Sequence, residues 1–112
     1  MKRGDVFDVR LGPTEGSQQA GIRPAVIVSR NAINRYSPVL VIMSFARAAN
    51  VKRDYPNNVR TRQGDGGLTA DSAALTGQVR AIAKTRLLPL RGSLSPAIMK
   101  QLDRALRVTL DL

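Results

Sequence analysis

Arg23 is the residue of this chain best placed to do chemistry. It stands between a glycine-flanked polar stretch, Gly16-Ser17-Gln18-Gln19-Ala20-Gly21, and the apolar, largely β-branched run Pro24-Ala25-Val26-Ile27-Val28. A guanidinium at the mouth of a strand, beside backbone that can approach a ligand closely, suits a phosphate. The same residue also reads as one of many surface arginines. Gln78 and Arg80 form a second candidate. Two positions apart on a strand, their side chains share a face. An amide able to read a base edge and an arginine for phosphate then point the same way. An outward polar strand face fits that spacing too.

Other patterns carry less. Gly64-Asp65-Gly66-Gly67 is followed by Leu68-Thr69-Ala70-Asp71, without the Lys-Ser/Thr of a phosphate-cradling loop, and reads as a turn. Asp65 and Asp71 suggest no metal cluster, and no metal or other cofactor is expected. Arg3-Gly4-Asp5 matches an adhesion tripeptide by chance. The four aromatics, Phe7, Tyr36, Phe45 and Tyr55, are too scattered for an extended base-stacking platform, although one or two can stack locally.

Composition narrows the chemistry further. The chain has no histidine and no cysteine, which excludes imidazole acid–base work, thiolate nucleophiles and disulfides. Its formal net charge is +10, and only Lys2, Lys52, Lys84 and Lys100 among the 18 Lys+Arg are lysines. Such an arginine-rich excess points to a polyanion, either nucleic acid or an acidic protein. No apolar run approaches the ~20 residues of a membrane-spanning helix. The N-terminus lacks a signal-peptide core, so a cytoplasmic location is expected.

These residues need a scaffold. At 112 residues the chain is expected to form one domain, 1–112, large enough to bury about two-thirds of its unfolded surface. Alternation predicts a strand over Asp5 to Leu11, then a loop around Gly12-Pro13 and Gly16-Ser17. Further strands are expected at Pro24 to Val28, Val39 to Phe45, Val59 to Thr61, Ser72 to Leu75 and Val79 to Ile82. Gly77 marks a bend or bulge. Asn31 to Ser37 reads as a loop or a single helical turn. Ser95-Pro96 reads as an N-cap and first helical position. Ile98, Leu102, Ala105, Leu106 and Thr109 then share a helical face, opposite Lys100, Asp103, Arg104 and Arg107. Five or six short strands with one terminal helix suggest a mainly β, partly open barrel.

Taken together, several segments resemble the MazF/PemK/Kid family of toxin endoribonucleases. They are Lys2-Arg3-Gly4-Asp5-Val6-Phe7, Gly16-Ser17 through Ala20-Gly21-Ile22-Arg23-Pro24, Asp71-Ser72-Ala73-Ala74-Leu75, Gln78-Val79-Arg80-Ala81-Ile82, Lys84 and Arg86-Leu87. The resemblance implies a small SH3-like barrel of the type shared with the CcdB gyrase poisons. It implies a homodimer whose interface groove binds single-stranded RNA and is wrapped by an acidic antitoxin protein. It implies metal-independent cleavage in which the ribose 2′-OH attacks phosphorus and leaves a 2′,3′-cyclic phosphate. Arg23 matches the family's catalytic arginine. Ser17, Gln18, Gln19, Pro24, Gln78 and Arg80 are expected to line the RNA groove.

Two departures stand out. The family's second catalytic residue is usually a threonine at the end of the central strand, and Ala46 occupies that position here. The loop carries Ser17-Gln18-Gln19 where Ser-Glu-Gln is common, so one carboxylate is absent. Reduced activity is expected. Ser44 lies on the same strand face as position 46, but about 6.5 Å away, too far to substitute without backbone adjustment. The competing reading is a non-catalytic RNA binder or gyrase poison of the same fold. The gyrase branch relies on a C-terminal Trp-Gly-Ile, whereas this chain ends Thr109-Leu110-Asp111-Leu112.

Overall fold

A computed structural model describes residues 1–12 and 21–112. Among these residues, seven strands belong to one antiparallel, unclosed sheet: β1 (Asp5–Leu11), β2 (Gly21–Ile27), β3 (Val39–Arg47), β4 (Asn58–Thr61), β5 (Ser72–Leu75), β6 (Arg80–Ala83) and β7 (Leu87–Ser93). Two helices accompany them, α1 (Asn31–Tyr36) and α2 (Pro96–Leu110). The sheet order is β4-β5-β3-β2-β1-β7, with β6 also paired to β3.

Strict alternation builds a core on each face of this sheet. On one face Val6, Val26, Met43, Phe45, Val59, Leu68, Ala74 and Leu94 pack with Leu102 and Ala105 of α2. On the other, Val9, Leu11, Ala25, Ile27, Leu40, Ile42 and Ile82 cluster together. The helix starts where the sequence predicts. The Ser95 side chain accepts a hydrogen bond from the Ile98 amide at 3.3 Å, and Pro96 opens the first turn. An Arg3–Asp103 ion pair at 2.6 Å ties α2 back to the N-terminus.

The long central strand changes partners along its length, and this division creates the site. Val39 to Ile42 pair with β6, and Ile42 to Ser44 pair with Ile27 to Ala25 of β2. From Phe45 to Arg47 the strand pairs with Ala74 to Ser72 of β5 instead. The β2 ladder stops at Ala25, next to Pro24, which has no amide hydrogen with which to extend it. Strands β2 and β3 therefore part at Arg23-Pro24.

The turn expected at Gly64 to Gly67 is a single 3₁₀ turn over Asp65–Gly67, and its glycines have a packing reason. Gly67 has φ +75°, and a Cβ there would lie 2.3 Å from the Arg91 carbonyl oxygen of β7. Gly67→Ala is expected to destabilise the fold by more than the roughly 1–3 kcal/mol of a left-handed non-glycine residue, because the obstacle is backbone. Gly64, at φ +98° with nothing within 4 Å of such a Cβ, is the control. Thermal melts should show Gly67→Ala losing clearly more Tm than Gly64→Ala; equal losses would refute the close-packing account.

Candidate functional site

A cavity of about 420 Å³ opens where β2 and β3 part. Arg23 and Pro24 line it from β2, and Phe45, Ala46 and Arg47 line it from β3. Leu68, Thr69, Ala70 and Ser72 close it from the chain around β5, and Arg91 reaches it from β7. Arg23 and Arg47 are both exposed at this cavity. Arg91 is half-buried and held by Asp8 of β1 at 2.8 Å.

Strand register explains why Arg23 and Ala46 meet. Ala25 pairs with Ser44. Two residues further along each antiparallel strand are Arg23 and Ala46, which therefore share the face of the second core cluster. The expected arginine and the alanine at the threonine position thus stand together at one cavity. Ser44 does not reach it, being 1% exposed in the ladder opposite Ala25.

The other expected RNA-groove residues are distributed differently. Ser17, Gln18 and Gln19 lie outside the described residues. Gln78 is not on a strand with Arg80. It ends a 3₁₀ turn, Thr76–Gln78, and β6 starts only at Arg80. The two-apart strand argument therefore does not hold for this pair. Buried Thr76, at the start of the turn, is fastened to α2 through a 3.0 Å hydrogen bond from Thr109.

Gln78 instead lines a second, open hollow of about 370 Å³ with Tyr55, Asn57, Asn58, Leu75 and Gly77. Leu75 belongs to both hollows, so they adjoin. Arg80 pairs with Ile42 on the face that carries Arg23 and Ala46. It stands four residues along β3 from Ala46, about 13 Å away. Its Nη1 is buried, with no hydrogen-bond partner among the described residues.

Sequence reasoning did not single out Arg47, Thr69, Asn50 or Arg91 for this cavity. Arg47 and Asn50 were visible only as polar residues after an apolar run. Arg91 belongs to β7, a strand the periodicity does not reveal.

Comparison with known proteins agrees with this architecture. The fold is that of MazF-type toxins. It matches a mycobacterial structure described as an endoribonuclease in complex with its cognate antitoxin, with a TM-score of 0.82 at 28% identity, covering 100% of this chain and 96% of that one. MazF from Deinococcus radiodurans also gives 0.82, at 18% identity over 100% of this chain and 97% of that one, and shows the fold alone. Residues 2–110 match the family of PemK-like, MazF-like toxins of type II toxin-antitoxin systems. The endoribonuclease MazF of Staphylococcus saprophyticus is 36% identical over 112 residues, 100% of this chain and 92% of that protein. The chain belongs to the PemK-like, MazF-like toxin family.

Proposed function

We propose that this chain is an endoribonuclease toxin that cuts single-stranded RNA at the cavity shared by Arg23 and Ala46. The observation that carries the reading is this cavity, lined at the parting of two strands by the arginine expected from the family, with Arg47 and Arg91 also in its lining. The bond from the ribose 2′ oxygen to phosphorus forms as the bond from phosphorus to the 5′ oxygen breaks. The 2′ proton leaves and the 5′ oxygen ends protonated, giving a 2′,3′-cyclic phosphate and a 5′-OH. A guanidinium donates and does not accept, so Arg23 acts by stabilising charge gathering on the phosphoryl oxygens, not as a base. Arg47 adds a second exposed cation. Position 46 adds no hydroxyl, which lowers the rate this site can reach.

The adjoining hollow gives the strand a continuation. Carboxamides of Asn57, Asn58 and Gln78 carry both donors and acceptors for base edges, and exposed Tyr55 offers a ring for stacking. Arg80 carries a further guanidinium on the sheet face that also holds Ala46 of β3. Residues 1–112 are read as one toxin domain acting as a homodimer. The mycobacterial relative is described with its cognate antitoxin, and an acidic antitoxin suits the net charge of +10 here. No helix among the described residues is long and apolar enough to cross a membrane, which accords with a cytoplasmic site of action.

The test is incubation of the purified protein with RNA in EDTA, followed by analysis of the ends. Cutting that persists in EDTA and leaves cyclic-phosphate ends is expected. Binding without cutting would favour the non-catalytic reading instead.

A further inference from the structure

We infer that Thr69 supplies the hydroxyl that position 46 lacks, donating a hydrogen bond to a non-bridging oxygen of the scissile phosphate. The inference rests on the reading of this cavity as an RNA-cleaving site. Two hydroxyl-bearing residues line the described part of the cavity, Thr69 and Ser72. Ser72 is 5% exposed, and its hydroxyl donates to the Ala70 carbonyl at 2.9 Å. Thr69 is exposed, and its hydroxyl makes no hydrogen bond among the described residues. Among the described residues, one hydroxyl is thus already engaged and the other is not.

The backbone that carries Thr69 is held from several directions. The Gly64 amide donates to the Leu68 carbonyl at 2.8 Å, and the Leu68 amide donates to the Asp65 carbonyl at 2.9 Å. Leu68 itself is buried in the helix-side core, immediately before Thr69. Two residues after Thr69, the Asp71 carboxylate accepts from the Gln63 amide at 2.8 Å, and its carbonyl accepts from the Ala48 amide at 2.9 Å. The second of these bonds fastens the segment to the chain just beyond β3, next to Ala46 and Arg47. The close approach of Gly67 to the Arg91 carbonyl fixes the other side. A hydroxyl on so constrained a segment is preorganised, the condition under which a donor favours a transition state.

Chemistry favours a neutral donor here. Arg23 and Arg47 already bring exposed cations to the cavity, beside Arg91 in its pair with Asp8. The crowded phosphoryl oxygens of a five-coordinate phosphorus offer more acceptor sites than one guanidinium fork fills. The Thr69 hydroxyl keeps its proton throughout, so its contribution is a hydrogen bond that strengthens as charge develops. Removing a single bond to a charged group corresponds to roughly a 10- to 100-fold loss of rate.

The experiment compares wild type, Thr69→Val, Thr69→Ser and the double variant Ala46→Thr/Thr69→Val in single-turnover RNA cleavage. Binding of a strand with a 2′-deoxy sugar at the cleavage position, and Tm, are read in parallel. Thr69→Val, nearly the same shape, should cut roughly 10- to 100-fold more slowly with unchanged Tm. Its binding of the uncleavable strand should change much less than its rate. Thr69→Ser should stay near wild type, and Ala46→Thr should restore much of the rate lost in Thr69→Val. Cutting by Thr69→Val at the wild-type rate, or Thr69→Ser as slow as Thr69→Val, would overturn the role of Thr69 while leaving the ribonuclease reading intact. A wild-type protein that binds RNA and never cuts it would overturn both.

Discussion

Arg23→Ala is expected to lower RNA cleavage by roughly 100- to 1,000-fold, the usual effect of removing a donor aimed at developing charge. The loss should leave the fold standing, because Arg23 lies in the exposed first half of β2 and belongs to neither core cluster. The apolar residues that follow it, Ala25 to Ile27, carry the strand's packing. Circular dichroism and the oligomeric state should therefore match wild type while the rate collapses. Arg23→Lys separates charge from geometry. Lysine keeps the cation and loses the planar fork, so it should recover only part of the rate. Wild-type-like cutting by Arg23→Ala would move the reaction away from this cavity.

The second large effect runs in the opposite direction. Ala46→Thr should raise the cleavage rate, by about 10-fold if one hydrogen bond to a charged phosphate is gained. The position accepts the change. Ala46 is partly exposed, faces Ala73 across the β3–β5 ladder and lines the cavity. A β-branched side chain suits a strand there. If Thr69 already fills part of this role, the gain should be larger in the Thr69→Val background than in wild type, since two hydroxyls serving one phosphate do not act additively. No gain in either background would show that Ala46 does not limit the reaction.

Both variants depend on parts of the chain that differ greatly in how openly they are written. The bounds of β1 follow from alternation, those of β5 from a short apolar run before the Gly77 bend, and the capped start of α2 from Ser95-Pro96. β7 does not show. It lies at the edge of the sheet, contains Pro89 and Gly92, and has no alternating burial. Its place comes from backbone pairing to β1, with register shifts, and that pairing leaves no periodic trace in side-chain type. Arg91, on that strand, was therefore out of reach as a cavity residue. Gln78 was legible as an amide but not as part of a turn. The bond between Thr76 and Thr109 links residues far apart in the chain, and no local pattern announces it.

Arg23 itself, the absence of histidine and cysteine, the basic charge and the alanine at position 46 were determined by the sequence alone. They exclude imidazole and thiolate chemistry and point to an anionic partner, because side-chain types restrict what can ionise, donate or attack. The tertiary structure decided what Arg23 works with. The change of partner along β3 opened the cavity at Ala46, the packing of Gly67 on β7 brought Arg91 to it, and the anchored segment after Leu68 placed Thr69 there. Each of these depends on contacts between distant parts of the chain, and strand pairing and close backbone approach exist only once the sheet has formed.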